Sequence, residues 1–114
     1  MPYLLIQTNR PVAENDRAEL LAAASRTVAE ALGKPERYVM VALQDAVPMC
    51  FAGDDAPLAY LELKSIGLPE ARTTELSAVL CDFIAERLDL APERIYIEFS
   101  DAPRAFWGWN RGTF

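Results

Sequence analysis

The segment Pro35-Glu36-Arg37-Tyr38-Val39 occurs a second time in closely similar form, as Pro92-Glu93-Arg94-Ile95-Tyr96. In both places an apolar pattern of helical spacing ends before the proline, and β-branched, aromatic and apolar residues follow the arginine. Each copy therefore closes a predicted helix and opens a predicted strand. This repetition indicates that the chain contains two β-α-β units with the same order of elements.

The first unit begins with a short apolar run over residues 2–8, which predicts a strand. Asn15 and Asp16 are candidates for the N-cap of a helix, and Asp16 and Glu19 have the three-residue spacing of a capping box. Gly33, followed by a proline, predicts the end of that helix, and residues 38–44 predict the second strand. The apolar stripe of this helix consists of Leu20, Leu21, Ala24, Val28, Ala31 and Leu32.

The second unit repeats this order after a loop rich in proline, glycine and aspartate. Residues 58–66 predict a strand, Pro69 stands at a suitable first position for a helix, and residues 95–100 predict the last long strand. The apolar stripe of the second helix consists of Leu76, Val79, Leu80, Phe83, Ile84 and Leu88.

Two such units predict an α+β fold, in which a four-stranded mixed sheet carries both helices on one face, because β-α-β crossovers are right-handed. We expect a single domain over residues 1–114, since 114 residues suffice for one hydrophobic core. Within it we expect two pseudo-repeats, over about 1–47 and 58–103, followed by an aromatic C-terminal tail.

The sheet face without helices is predicted to be an apolar surface, and such patches usually mark an interface. Its expected members are Tyr3, Leu5, Tyr38, Met40, Ala42, Tyr60 and Tyr96. The tail Phe106-Trp107-Gly108-Trp109 places three large aromatic rings near a chain end, so we expect it to be docked rather than loose. Together these features predict a homo-oligomer.

Charge and composition exclude several classes of function. The net charge is −6, which argues against binding to nucleic acids or to acidic membranes. The two cysteines, Cys50 and Cys81, support neither a disulfide framework nor a zinc site, and we predict no metal site. Neither a signal peptide nor an apolar run of the ~18 residues that a membrane span needs is visible. We expect a cytoplasmic protein, with secretion without a signal peptide left open.

The second residue is a candidate general base. Removal of Met1 would leave the secondary amine of Pro2 as the chain terminus, and the chain has no histidine that would titrate near neutral pH. Burial or a neighbouring cation would lower the pKa of this amine into the range where a general base works at pH 7.

Several short motifs, taken in order and spacing, show that the chain closely resembles the macrophage migration inhibitory factor branch of the tautomerase superfamily. The motifs are Met1-Pro2, Gln7-Thr8-Asn9, Gly33-Lys34-Pro35, Lys64-Ser65-Ile66-Gly67, Leu80-Cys81, Ala85-Glu86-Arg87-Leu88, Pro92-Glu93-Arg94-Ile95-Tyr96-Ile97, Gly108-Trp109-Asn110 and Thr113-Phe114. The resemblance implies a homotrimer with an active site at each subunit interface. It also implies keto–enol tautomerisation of aryl α-keto acids such as phenylpyruvate, without a metal or an organic cofactor.

The resemblance also implies the roles of the site residues. Pro2 would shuttle the proton, Lys34 would supply a fixed positive charge, and the backbone N–H of Ile66 would hold the substrate carboxylate. Tyr96 of a neighbouring subunit would contact the substrate. The aryl ring would lie among Tyr38, Trp107, Trp109 and Phe114.

Each of these residues has an alternative, structural explanation. Lys34 is predicted to lie in the last turn of a helix, where a cation stabilises the helix dipole by roughly 0.3–1 kcal/mol without any other function. Tyr96 could serve only interface packing, the aromatic residues of the tail could be purely structural, and Ser65-Ile66-Gly67 could be an ordinary strand end.

The chain departs from the family at three points. Leu58 and Leu61 stand where the mammalian cytokine has its CxxC motif, so we expect no thiol–disulfide activity. Glu98 replaces the usual amide of the pocket and would bring a negative charge near the site. Trp107 occupies a position that usually holds a smaller aliphatic residue, which would narrow the pocket or favour stacking.

Two other functions remain as alternatives. One is a cytokine-like binding or signalling module whose tautomerase activity is incidental. The other is hydration or dehalogenation of unsaturated acids, which would need Glu98 or Arg72 to direct a water molecule.

Overall fold

Four strands form one mixed sheet in the computed structural model, which describes residues 1–114. The elements follow in the order β1 (Tyr3–Thr8), α1 (Glu14–Leu32), β2 (Met40–Gln44), β3 (Ala59–Ile66), α2 (Thr73–Leu88) and β4 (Ile95–Ala102). A small C-terminal hairpin follows, formed by β5 (Gly108–Trp109) and β6 (Gly112–Thr113).

The strand order in the sheet is β2-β1-β3-β4. Each β-α-β unit contributes one parallel pair, β1 with β2 and β3 with β4, and the two units meet in the antiparallel pairing of β1 with β3. Leu4 faces Leu63 and Ile6 faces Leu61 across this central pairing. The predicted α+β fold with a four-stranded mixed sheet and two helices is confirmed.

The core lies between the sheet and the helices. Leu4, Ile6, Leu61 and Leu63 point from the two central strands and are at most 1% exposed. Full burial of one such side chain stabilises the folded state by roughly 1.5–3 kcal/mol. The helices contribute the buried residues Leu20, Ala24, Val28, Leu76, Leu80 and Ile84.

No helix of the chain combines the length and the apolar character that crossing a bilayer requires.

The start of α1 differs from the prediction. The helix begins at Glu14, the preceding Ala13 makes no side-chain cap, and Asp16 lies within the first turn. Asp45, which follows β2, instead orders the segment before the helix, because its carboxylate accepts the Val12 N–H at 2.8 Å. This hydrogen bond is the main reason that the pKa of Asp45 is lowered. The capping-box prediction is wrong, because the helix begins two residues before Asp16, so that Asp16 lies inside the first turn and not at the N-cap.

The end of α1 agrees with the prediction, whereas the start of α2 lies a few residues later than predicted. Gly33 adopts a left-handed conformation (φ 63°) and ends α1, as predicted. Pro69 does not begin the second helix, since it precedes a single 3-10 turn over Glu70–Arg72, and α2 begins at Thr73.

Both Pro-Glu-Arg segments form short 3-10 turns, over Glu36–Tyr38 and Pro92–Arg94. The second turn leads directly into β4, as predicted, whereas the first displaces the start of β2 to Met40. Tyr38 therefore lies outside the sheet, and its ring is free to join the C-terminal tail.

The helix-free face of the sheet is less apolar than predicted. The strand register places Tyr3, Leu5, Met40, Ala42, Tyr60 and Tyr96 there, without Tyr38. Polar side chains occupy the positions between them: Gln7 donates to Gln44 at 2.7 Å, Lys64 pairs with Glu62 at 3.2 Å, and Tyr60 donates to Glu98 at 2.8 Å. The prediction of a wholly apolar face is therefore wrong, because it considered the apolar residues of this face and left out the polar residues that alternate with them.

Candidate functional site

Pro2 is buried at the edge of the sheet where β1 begins. Its carbonyl accepts the Met40 N–H at 3.0 Å, so the pairing of β1 with β2 holds the backbone of this residue in place. The sequence pattern does not predict that Pro2 is buried, because the first residues of a chain are often poorly ordered.

Lys34 lies immediately after the left-handed residue that ends α1, and its N–H donates to the Ala29 carbonyl at 3.0 Å. Its side chain reaches across to the end of β3, where the ammonium donates to Ser65 Oγ at 3.0 Å and to the Ile66 carbonyl. An ammonium has three N–H donors. Two of them are occupied in the chain, which leaves one for a ligand.

A cavity of about 580 Å³, here called the charged cavity, surrounds the Lys34 ammonium. It is lined by Met1, Lys34, Ile66, Gly67, Asp101, Ala102, Pro103 and Arg104. Burial lowers the pKa of Lys34, the charge of Arg104 lowers that pKa further, and Asp101 acts in the opposite direction. A ligand in this cavity meets two side-chain cations and one carboxylate.

Arg104 and Asp101 are not among the site residues predicted from the sequence. The strand register explains their position, because β3 and β4 are parallel and Ile66 is paired with Ala102. The residues around the end of β4 therefore lie beside the residues at the end of β3. The repeated β-α-β order, which predicts this parallel pairing, is the signal that could have found them.

A second cavity of about 230 Å³, here called the aromatic cavity, lies on the other side of the N-terminus. Its lining includes Pro2, Arg37 and the four aromatic residues Tyr38, Trp107, Trp109 and Phe114. The Trp109 and Phe114 rings stack with centroids 5.4 Å apart, and Tyr38 meets them edge-on at 5.7 and 5.8 Å. The expectation of a docked tail holds only in part, because Trp109 packs on Tyr38 whereas Phe106 is 82% exposed.

Met1 is the one residue that lines both cavities. Burial lowers the pKa of the Met1 amine below its ordinary value, and the positive charge of Lys34 lowers that pKa further. A terminal amine at this position is therefore biased towards its neutral form. While Met1 is present, the nitrogen of Pro2 is an amide without a basic lone pair.

The chain does not bring Tyr96 or Glu98 to either cavity. Tyr96 is 65% exposed, and its ring centroid lies 4.6 Å from that of Phe51. Glu98 accepts the hydrogen bond of the Tyr60 hydroxyl, and burial together with this bond raises the pKa of Tyr60 to about 12. The roles predicted for Tyr96 and Glu98 therefore depend on contacts beyond the chain that carries them.

Comparison with known proteins gives consistent results over the whole chain. The family model described as macrophage migration inhibitory factor matches residues 1–114. The macrophage migration inhibitory factor of Meriones unguiculatus is 36% identical over 115 residues, which cover 100% of this chain and 99% of the relative. The homolog from Brugia malayi is 38% identical over the same shares of both chains.

Solved structures agree with these sequence matches. The macrophage migration inhibitory factor homologue from Prochlorococcus marinus superposes with a TM-score of 0.92 at 46% identity, over 98% of both chains. The macrophage migration inhibitory factor from Trichinella spiralis superposes with a TM-score of 0.90 at 31% identity, over 98% of this chain and 99% of the other.

Proposed function

Because this chain belongs to the macrophage migration inhibitory factor family, we propose that it is a keto–enol tautomerase for aryl α-keto acids of the phenylpyruvate type. One observation carries the proposal: Met1, which precedes the buried Pro2, lines both the cavity with two cations and the cavity with aromatic rings. An aryl α-keto acid carries an anionic end and an aromatic end, joined by the carbon that exchanges its proton.

The proposed reaction moves one proton between oxygen and carbon. After removal of Met1, the neutral nitrogen of Pro2 accepts the proton of the enol hydroxyl and delivers a proton to C3 of the substrate. The C–O bond becomes a carbonyl, the C=C bond becomes a single bond, and the amine returns to its neutral form. General acid–base catalysis of this kind requires an amine whose pKa lies near the working pH. Burial and the charge of Lys34 lower the pKa of the neighbouring Met1 amine, and the proposal expects the same two causes to act on the amine of Pro2.

Lys34 supplies the electrostatic part of the proposed mechanism. Its ammonium is held by Ser65 and by the Ile66 carbonyl, and its remaining N–H is available to the developing negative charge on the substrate oxygen. Because it is held in the free protein, little reorganisation is needed during the reaction. Its position beyond the end of α1 supports this role over a purely structural one, since its charge is directed towards β3 and not towards the last turn of the helix.

The aromatic cavity is the proposed place for the aryl ring. The rings of Tyr38, Trp109 and Phe114 pack against one another. The backbone carbonyl of Trp107 accepts a hydrogen bond from the Phe114 N–H at 3.2 Å. Rings fixed in this way can contact a substrate ring without losing further conformational freedom. We also keep Ile66 as the proposed backbone donor to the substrate carboxylate.

The proposed assembly is a homotrimer with one site at each subunit interface. Strands β2 and β4 are the two edges of the sheet, and exposed edges pair readily with another chain. Met40 and Tyr96 on these strands are each 65% exposed, which supports an interface there and a contribution of Tyr96 to a neighbour's site. Light scattering of the purified protein should give three times the chain mass of 12.7 kDa. A mass equal to that of a single chain would contradict the assembly.

The direct test of the activity is ketonisation of phenylenolpyruvate, followed by the loss of enol absorbance, with protein whose intact mass shows that Met1 has been removed. We expect a rate well above that of buffer alone, with saturation by the substrate. A matched reaction with heat-denatured protein controls for general amine catalysis. A rate no higher than in that control would refute the proposed function.

A further inference from the structure

The positive charges of this acidic chain are distributed unevenly. Of its 11 lysines and arginines, six form ion pairs with carboxylates. The other five are Arg26, Lys34, Arg37, Arg104 and Arg111. Three of these five line the two cavities at the N-terminus, Lys34 and Arg104 in the charged cavity and Arg37 in the aromatic cavity. The cations without a carboxylate partner therefore collect around the proposed site.

The two cations of the charged cavity differ in what they can still offer a ligand. Lys34 has used two of its three N–H donors within the chain. The Arg104 guanidinium forms neither an ion pair nor a hydrogen bond within the chain, so all five of its N–H donors are available. The backbone of Arg104 is nevertheless held, because its carbonyl accepts the Trp107 N–H at 3.2 Å in a 3-10 turn over Arg104–Phe106.

We propose that Arg104 binds the substrate carboxylate, while the single free N–H of Lys34 is directed at the keto or enolate oxygen. A guanidinium presents two parallel N–H donors that match both oxygens of a carboxylate, whereas an ammonium acts as a point charge. The inference rests on the function proposed above and assigns the two anionic parts of the substrate to two different cations.

The neighbouring carboxylate does not prevent this role. Asp101 is the one acidic residue that lines the charged cavity, and one of its oxygens accepts the Leu68 N–H at 3.0 Å. Asp101 and Arg104 form no ion pair in the chain, so the guanidinium need not leave a carboxylate partner before it binds the substrate. The two cations also outnumber the single acid in the cavity.

The test compares phenylenolpyruvate with its methyl ester, which has the same enol but no negative charge. In processed protein, Arg104→Gln is expected to raise KM for the acid about tenfold, as for the loss of one charge-assisted contact, with little change in kcat. For the ester, KM should change less than twofold. Arg104→Lys keeps the positive charge but loses the planar pair of N–H donors. Its KM for the acid should therefore lie between those of the wild type and Arg104→Gln.

Arg111→Gln is the matched control, because Arg111 also has no carboxylate partner but lines neither cavity. It should leave both substrates unaffected. Equal effects of Arg104→Gln on the acid and the ester, or an unchanged KM for the acid, would overturn the inference.

A binding measurement separates this inference from the proposed function. If the wild-type protein ketonises neither substrate, the proposed function fails, and the unreactive pair cinnamate and cinnamamide then tests Arg104 alone. The only two tryptophans of the chain line the aromatic cavity, so their fluorescence reports binding. Loss of cinnamate affinity in Arg104→Gln with unchanged cinnamamide affinity would support the role of Arg104. Equal affinities of wild type and variant for cinnamate would refute it.

Discussion

Insertion of one alanine between Met1 and Pro2 is expected to lower kcat/KM for phenylenolpyruvate by about 10²–10⁴-fold, the contribution that a positioned general base usually makes. In this variant the nitrogen of Pro2 is acylated whether or not the initiator methionine is removed, while every side chain of the site is kept. The measurement is the initial rate of ketonisation. Urea unfolding under the same conditions shows whether the variant is folded.

Pro2→Gly provides the companion variant. Removal of Met1 then leaves a free primary amine at nearly the same place but without the pyrrolidine ring, and we expect an activity well below that of the wild type. If the insertion variant keeps the rate of the wild type, the proline nitrogen is not the base.

The pH dependence of kcat/KM tests the same nitrogen through its pKa. The base must be neutral to accept a proton, so kcat/KM should rise with pH through the pKa of the terminal amine and then level off. Burial and Lys34 both lower the pKa of the neighbouring Met1 amine. We expect the same two causes to act on the amine of Pro2, so the rise should lie below the pH expected for an exposed terminus. Lys34→Gln removes one of these causes and should shift the rise to higher pH. An unchanged profile in this variant would show that the two groups are not coupled.

Arg94→Ala is expected to produce the largest loss of stability among the charged positions, about 2–4 kcal/mol, since hydrogen bonds to charged groups are the stronger ones. The Arg94 guanidinium donates to the carbonyls of Phe51, Asp54, Ala56 and Pro57 at 2.8–3.3 Å. It also pairs with the Asp54 carboxylate at 3.0 Å, and its side chain is only 15% exposed. One side chain thus holds residues 51–57 of the loop between β2 and β3.

The repeat offers a matched control for this variant. Arg37 occupies the corresponding position of the first Pro-Glu-Arg segment, but it is exposed and its guanidinium contacts only the Tyr38 ring, at 4.8 Å. Arg37→Ala should therefore cost only about 0.5–1 kcal/mol.

Urea unfolding at one fixed protein concentration measures both losses, because oligomers have concentration-dependent stability. Arg94→Lys should recover only part of the loss, since an ammonium cannot reach four carbonyls. A loss in Arg94→Ala no larger than that in Arg37→Ala would contradict the anchoring role.

The fold could be predicted from the sequence because its signals are local and occur twice. The apolar stripes of both helices, the glycine after the first helix and the alternation in the strands each depend on residues within one or two turns. Pro2 and Lys34 could also be predicted from the sequence, because only a few residue types can transfer a proton or stabilise the charge that develops. The predicted capping box is wrong because the helix begins earlier, at Glu14, after a segment whose Val12 N–H is held by the distant Asp45.

Local patterns in the chain are enough to predict the two β-α-β units, their mixed sheet and the residue types that a proton transfer needs. Only the packed fold places Arg104 beside Lys34, lets Tyr38 leave its strand to pack on the tail, and brings charged side chains to the helix-free face. The reason is that secondary structure follows from interactions between near neighbours in the chain. The site instead depends on the register between strands and on the ends of elements that meet only when the two units pack together.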